Sequence, residues 1–149
     1  MTPQLQQQFA HYSQSHQHPS NLLIHAIAVP LIYLSVLGLL WAIPLPYGSN
    51  AAWLGIAITC GFYLRHSLSL CLGILALSAL AVLGCALLQQ QNISVALTSL
   101  AIFIVAWLAQ FIGHAIEGKK PSFFEDLSFL LVGPGWVLAK LYRRLHIPV

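Results

Sequence analysis

The sequence predicts an all-α integral membrane protein, a four-helix bundle with amphipathic or interfacial helices at both termini. Three observations lead there. Hydrophobic residues make up 58% of the 149-residue chain and charged residues 6%, with a mean hydropathy of +0.80, which fits neither a soluble globular domain nor a disordered tail. Four apolar runs, most approaching the roughly 20 residues that cross a bilayer as helix, are joined by short breaks. Seven histidines stand against only three acidic residues, almost all of them at the same ends of those runs.

Residues 1–149 read as one membrane domain with crossings near 21–41, 51–64, 68–88 and 93–113. Leu5, Phe9, Tyr12 and His16 precede the first crossing at spacings of four, three and four, the pattern of one face of an amphipathic helix on the membrane surface. Pro19 should end that helix and Ser20 cap the next. The first twenty residues hold no Lys or Arg and no apolar core of a cleavable signal, so the first span is expected to be retained. Pro44, Pro46 and Gly48, then Arg65 to Ser67, then Gln89 to Asn92 mark the turns, and such short loops make neighbouring helices antiparallel. The second run is short and must cross nearly upright. Glu125, Asp126 and Gly133-Pro134-Gly135 interrupt the last apolar stretch, near 122–145, which therefore reads as helical pieces at the interface.

Four crossings put Arg65, Lys119, Lys120, Lys140, Arg143 and Arg144 on one side, and the positive-inside rule makes that side cytoplasmic, with both termini. A bacterial inner membrane or an ER-type membrane fits this orientation. His11, His16, His18, His66, His114 and His146 fall at the same boundary, with His25 a short way inside. The net charge of +3 at a membrane face suits a lipid bilayer or an anionic substrate, and no nucleic-acid motif is present. Cys60, Cys71 and Cys85 lie inside spans at spacings that suggest core thiols rather than a redox pair or metal knuckle.

Imidazoles gathered at one depth of a membrane protein make a bound transition metal the leading explanation. His16 and His18 flank the Pro19 corner and can converge on one point. Asn21 and His25, four residues apart, share a helix face, with His25 about 6 Å deeper along the axis. Taken alone, His25 would read as an interfacial histidine bonded to a backbone carbonyl, but it has three companions from His11 onward. Pro30 should kink the helix beneath and open room for an apolar tail. A surface helix carries His11 at no cost, so it stays outside the core set. His146, near a fraying terminus, reads as solvated.

The fourth span ends in a stripe of Gln110, His114 and Glu117 on one face. Gln110 should hydrogen-bond another helix or a metal ligand, because an unpaired amide at that depth is costly. Gly113 allows a second backbone to approach. Glu117 suits metal ligation or imidazole orientation as well as it suits an interfacial salt bridge to Lys119, Lys120 or Arg65. Glu125 and Asp126 are expected to cap the following surface helix.

Three blocks carry a family resemblance: YSQSHQHPSNLLIHAIAVP from Tyr12 to Pro30, WLAQFIGHAIEGKKP from Trp107 to Pro121, and the weaker LVGPGWV from Leu131 to Val137. The chain resembles small membrane proteins that include the iron-dependent 2-hydroxy fatty acid dioxygenases of phytosphingosine breakdown. Tyr12, His16, Asn21 and His25 match the family's opening block, and His114 with Gln110 and Glu117 its second. Lys140 stands where a glutamate is frequent in such proteins.

The resemblance implies an Fe(II)-dependent α-oxidation that shortens a 2-hydroxy fatty acid by one carbon, with O2 as co-substrate. His16, His25 and His114 would form the core metal set, with His18 or Glu117 as a further ligand or support. Tyr12, Asn21 and Gln110 would complete the cofactor pocket, with Asn21 and Gln110 orienting imidazoles. Lys119, Lys120 or Arg65 would attract the substrate carboxylate. A homo-oligomer is compatible with such a bundle. Two other classes remain open from the residues alone: a haem-binding electron-transfer protein with two axial histidines, and a non-enzymatic membrane subunit whose polar stripe mediates packing or proton movement.

Overall fold

The computed structural model describes residues 1–118 and 130–149, and these form six α-helices and no named strand. They are α1 (Pro3–Gln14), α2 (Pro19–Trp41), α3 (Ala51–His66), α4 (Leu68–Gln90), α5 (Val95–Glu117) and α6 (Val132–Arg144), with a single 3-10 turn at Pro46–Gly48. The expectations for Lys119, Lys120, Glu125, Asp126 and the first part of the interfacial segment lie outside the described residues.

Three helices, α2, α4 and α5, are long and apolar enough to cross a membrane. Each has 23 residues, which at 1.5 Å per residue gives about 34 Å against a hydrocarbon core of about 30 Å. With 16 residues, α3 reaches only about 24 Å. Large apolar side chains on all four point outward, among them Leu23, Leu54, Leu72 and Leu97. In water these would be an aggregation liability, whereas lipid is a matching solvent.

The interior is held by close approach and a few satisfied polar groups. α2 packs most extensively on α5, where Gly38 accommodates Ser99 so closely that a β-carbon would collide with it. Tyr33 on α2 and Ser78 on α4 are hydrogen-bonded at 2.8 Å, while Ser78 donates to the Ile74 carbonyl at 2.8 Å. That leaves the tyrosine as donor to Ser78. Cys71 and Cys85 are buried thiols without a disulfide, and Cys60 is half-buried.

Several local expectations change. His18, not Ser20, caps α2: its Nδ1 accepts the Ser20 amide at 3.2 Å, and Pro19 takes the first helical position, where a missing N–H costs nothing. Only Ser67 separates α3 from α4. Gly133-Pro134-Gly135 opens α6 instead of breaking a helix, because the first turn has orphan amides and tolerates proline.

α6 lies against α1, α2 and α4 and is fastened by Tyr63, whose side chain is fully buried. The Tyr63 hydroxyl donates to the Leu131 carbonyl at 2.5 Å and accepts the Gly135 amide at 3.0 Å. A side chain at position 135 would strike the Tyr63 ring, so the glycine is required by this contact. Trp136, the next residue, donates its indole N–H to Ser13 of α1 at 2.8 Å.

Candidate metal centre

The last turn of α1 and the first turns of α2 meet the end of α5, and this corner brings three histidines together. His16 (4% exposed), His25 (0%) and His114 (4%) each offer a ring nitrogen, and these atoms all lie within 4.8 Å of one another. The ring centroids are 4.1 Å apart for His16 and His25, 5.0 Å for His25 and His114, and 5.2 Å for His16 and His114.

Two of the rings are held in a tautomer that suits metal binding. His16 Nδ1 lies 2.7 Å from the Tyr12 carbonyl oxygen, and His25 Nδ1 lies 3.1 Å from that of Asn21. A carbonyl only accepts, so both Nδ1 atoms carry the proton and each Nε2 keeps its lone pair. This backbone support of the non-ligating nitrogen is the usual second layer of a histidine metal site. The donor set therefore fits a first-row divalent cation: three imidazoles converge in a buried pocket, and three ligands leave coordination positions for others.

Surrounding residues fix the rings from several elements. Tyr12 stacks on His16 with centroids 4.2 Å apart, and Trp136 closes the same side at 4.9 Å from Tyr12 and 5.5 Å from His16. Gly113, one residue before His114, allows Asn21 and His25 to approach α5. Gln110 is buried and shares with Tyr12, Val29, Trp107 and Gly133 a small cavity of about 20 Å³, enough for one molecule the size of water.

Glu117 has backbone and side-chain amides as its partners, while Lys119 and Lys120, two of its expected salt-bridge partners, lie outside the described residues. It accepts hydrogen bonds from the Gln17 amide at 3.0 Å, the His18 amide at 2.8 Å and the Asn21 side-chain amide at 3.0 Å. It thus places a carboxylate at the amino end of α2, where the helix dipole favours negative charge. Neither Glu117 nor His18 belongs to the three-nitrogen group; His18 is exposed at the helix cap. Arg65 and His11 are exposed, and so is His146. His66 hydrogen-bonds Thr2 at 2.6 Å and faces the Phe62 ring.

A family profile described as 2-hydroxy-palmitic acid dioxygenase Mpo1-like matches residues 2–145. The chain belongs to the Mpo1-like family. Among curated relatives, the 2-hydroxy-palmitic acid dioxygenase MPO1 of Saccharomyces cerevisiae is 27% identical over 148 residues, covering 95% of this chain and 81% of the yeast protein. No solved structure matches. Within this Mpo1-like chain, nothing in the sequence marks the contributions of Tyr63 and Ser13, whereas Trp136 lies in the LVGPGWV block.

Proposed function

We propose that this chain is an Fe(II)-dependent dioxygenase that acts on 2-hydroxy fatty acids by α-oxidation, shortening them by one carbon. The observation that carries the proposal is the convergence of His16, His25 and His114 nitrogens within 4.8 Å in a buried pocket. Membership of the Mpo1-like family and the printed activity of the yeast relative support the choice of substrate class.

His16, His25 and His114 would hold the iron, which when bound would supply the redox chemistry that dioxygen needs. The chain's own residues do the rest. Tyr12 and Asn21 hold the His16 and His25 rings by their carbonyls, Trp136 and Tyr12 exclude water from one side, and Gln110 lines the small cavity beside the rings. Glu117 secures the α1–α2 corner. By balance of atoms, a 2-hydroxy acid and one O2 give the acid one carbon shorter, carbon dioxide and water. A haem is disfavoured here, because its macrocycle needs an open slot between two facing imidazoles and the third ring crowds that space.

The same reading makes the chain a single membrane domain with four crossings. His25 near the start of α2 and His114 near the end of α5 lie together, so these two helix ends share one face of the membrane. α4 and α5 are antiparallel across a short turn, so α4 starts on that face as well. Consequently α3, though only 16 residues long, has to bring the chain back across. Arg65, Lys140, Arg143 and Arg144 then lie on the face with the histidines, which supports a cytoplasmic site and cytoplasmic termini.

The test is metal analysis of detergent-purified protein, coupled to mass spectrometry of 2-hydroxypalmitate incubated with Fe(II) in air. Stoichiometric iron and the one-carbon-shorter acid are expected, and both should vanish in His25→Ala and His114→Ala. Full turnover in either variant removes the assignment.

A further inference from the structure

A groove of about 420 Å³ runs between α2 and α6, beside the histidines but separate from them. Its apolar wall includes Leu22, Leu23 and Ala26, and its polar part is Lys140 and Arg144. Trp136 lines this groove as well and is the partition, since its ring lies 5.5 Å from that of His16. We propose that this groove is where the fatty acid substrate first docks, Lys140 and Arg144 holding the carboxylate and the apolar wall the acyl chain, before the carboxyl end passes Trp136 to react at the histidines.

Three features select this occupant. An apolar trough with two cations matches a single-tailed anion in both of its chemical halves, and an open apolar groove elsewhere in the molecule, between α2 and α5, has no charged lining residue. Lys140 is positioned, not trailing in solvent: its Nζ lies 3.7 Å from the centre of the Trp136 ring. Burial, followed by the neighbouring charges of Arg144 and Arg143, lowers its pKa, as expected where positive charge is concentrated and an anion would relieve it. Contact with Trp136 also explains why the groove lies here, since a lipid used only for anchoring has no need of a site that shares a wall with His16.

This inference rests on the proposed function for the identity of the ligand, yet it can be tested without turnover. The probes are palmitate, which lacks the 2-hydroxyl, and hexadecanol, which lacks the carboxylate, measured by equilibrium dialysis against the full chain in detergent. Wild type should bind palmitate about tenfold more tightly than hexadecanol, the scale of a hydrogen bond to a charged group. K140Q/R144Q should bind both alike, and H25A should keep the wild-type preference. With 2-hydroxypalmitate as substrate, the double variant should raise KM about tenfold and leave kcat in place. R144Q, at an exposed position, provides the same comparison if the double variant fails to fold.

Retention of the preference in the basic-residue variants overturns the proposal, and so does its loss in H25A, which would put the carboxylate at the histidines. Displacement of palmitate by an equal concentration of phosphatidylglycerol would make the groove a bilayer-lipid site and also overturn it. A chain without iron or turnover would remove the dioxygenase reading while leaving the dialysis result intact.

Discussion

The carboxylate of Glu117 accepts the backbone amide of His18 at 2.8 Å although 99 positions separate them. With the Gln17 amide and the Asn21 side chain as further donors, one residue at the end of α5 ties down the corner from which His16 and His25 diverge. A carboxylate as the common acceptor makes these charge-assisted hydrogen bonds.

Glu117→Ala should therefore loosen the site as well as the fold. Loss of a partner shared by three donors, two of them exposed to water, should cost about 0.5–1.5 kcal/mol and lower iron affinity about 10- to 100-fold, the usual effect of removing support behind metal ligands. Glu117→Gln, which retains an acceptor oxygen, should fall between. Thermal melting and a metal-binding isotherm measure the two effects, and wild-type iron affinity in E117A would show that the corner holds itself.

Gly113→Ala isolates close approach from helix propensity. A β-carbon there would collide with Asn21 Oδ1 and come within 3.5 Å of His25 Cε1. Alanine favours a helix over glycine by about 1 kcal/mol, but overpacking at a constrained contact costs about 1–3 kcal/mol, and Asn21 is pinned to Glu117. The net sign is destabilising, with lower iron occupancy. Gly84→Ala on α4, with nothing within 4 Å of the new atom, should be neutral or stabilising. Equal melting temperatures for the two variants would contradict the contact.

Tyr63→Phe removes a hydroxyl that serves both the Gly135 amide and the Leu131 carbonyl. Leaving a buried donor and acceptor unmatched should cost about 1–3 kcal/mol, read as a lower melting temperature. The loss should also reach Trp136, which follows Gly135 directly, and appear as a change in tryptophan emission. A variant that melts like wild type would mean that packing alone seats α6.

The apolar helices were legible because length and apolarity are written in the residues themselves: the expected 21–41, 51–64, 68–88 and 93–113 are helices at 19–41, 51–66, 68–90 and 95–117, and the first, third and fourth of them are long and apolar enough to cross a membrane. The meeting of His16, His25 and His114 was expected from the family resemblance together with their places near one membrane boundary, His25 about a turn deeper than the others. What escaped was chemistry that runs through the backbone. Glu117 is held by two main-chain amides, Tyr63 by an amide and a carbonyl, and such partners leave no pattern in side-chain identity. His18, expected as a further ligand or support, caps α2 through its Nδ1, a role that needs only a nitrogen lone pair near the first amides. Gly133-Pro134-Gly135 looked like a break because the same residues that end one helix can begin another.

Metal addition offers a test of the centre that needs no substrate. A ligand that binds only the folded protein stabilises it by about 2.7 kcal/mol at a hundredfold excess over its Kd. Zn(II), redox-inert and content with imidazole nitrogens, should raise the melting temperature of the wild-type chain by several degrees, because the three ligand nitrogens already lie within 4.8 Å and little reordering is needed. The shift should disappear in His16→Ala, His25→Ala and His114→Ala alike, since each removes one of three donors. It should persist in His18→Ala, whose ring is exposed at the start of α2. Loss of the shift in H18A with retention in H114A would move the cation to the α1–α2 corner and away from α5.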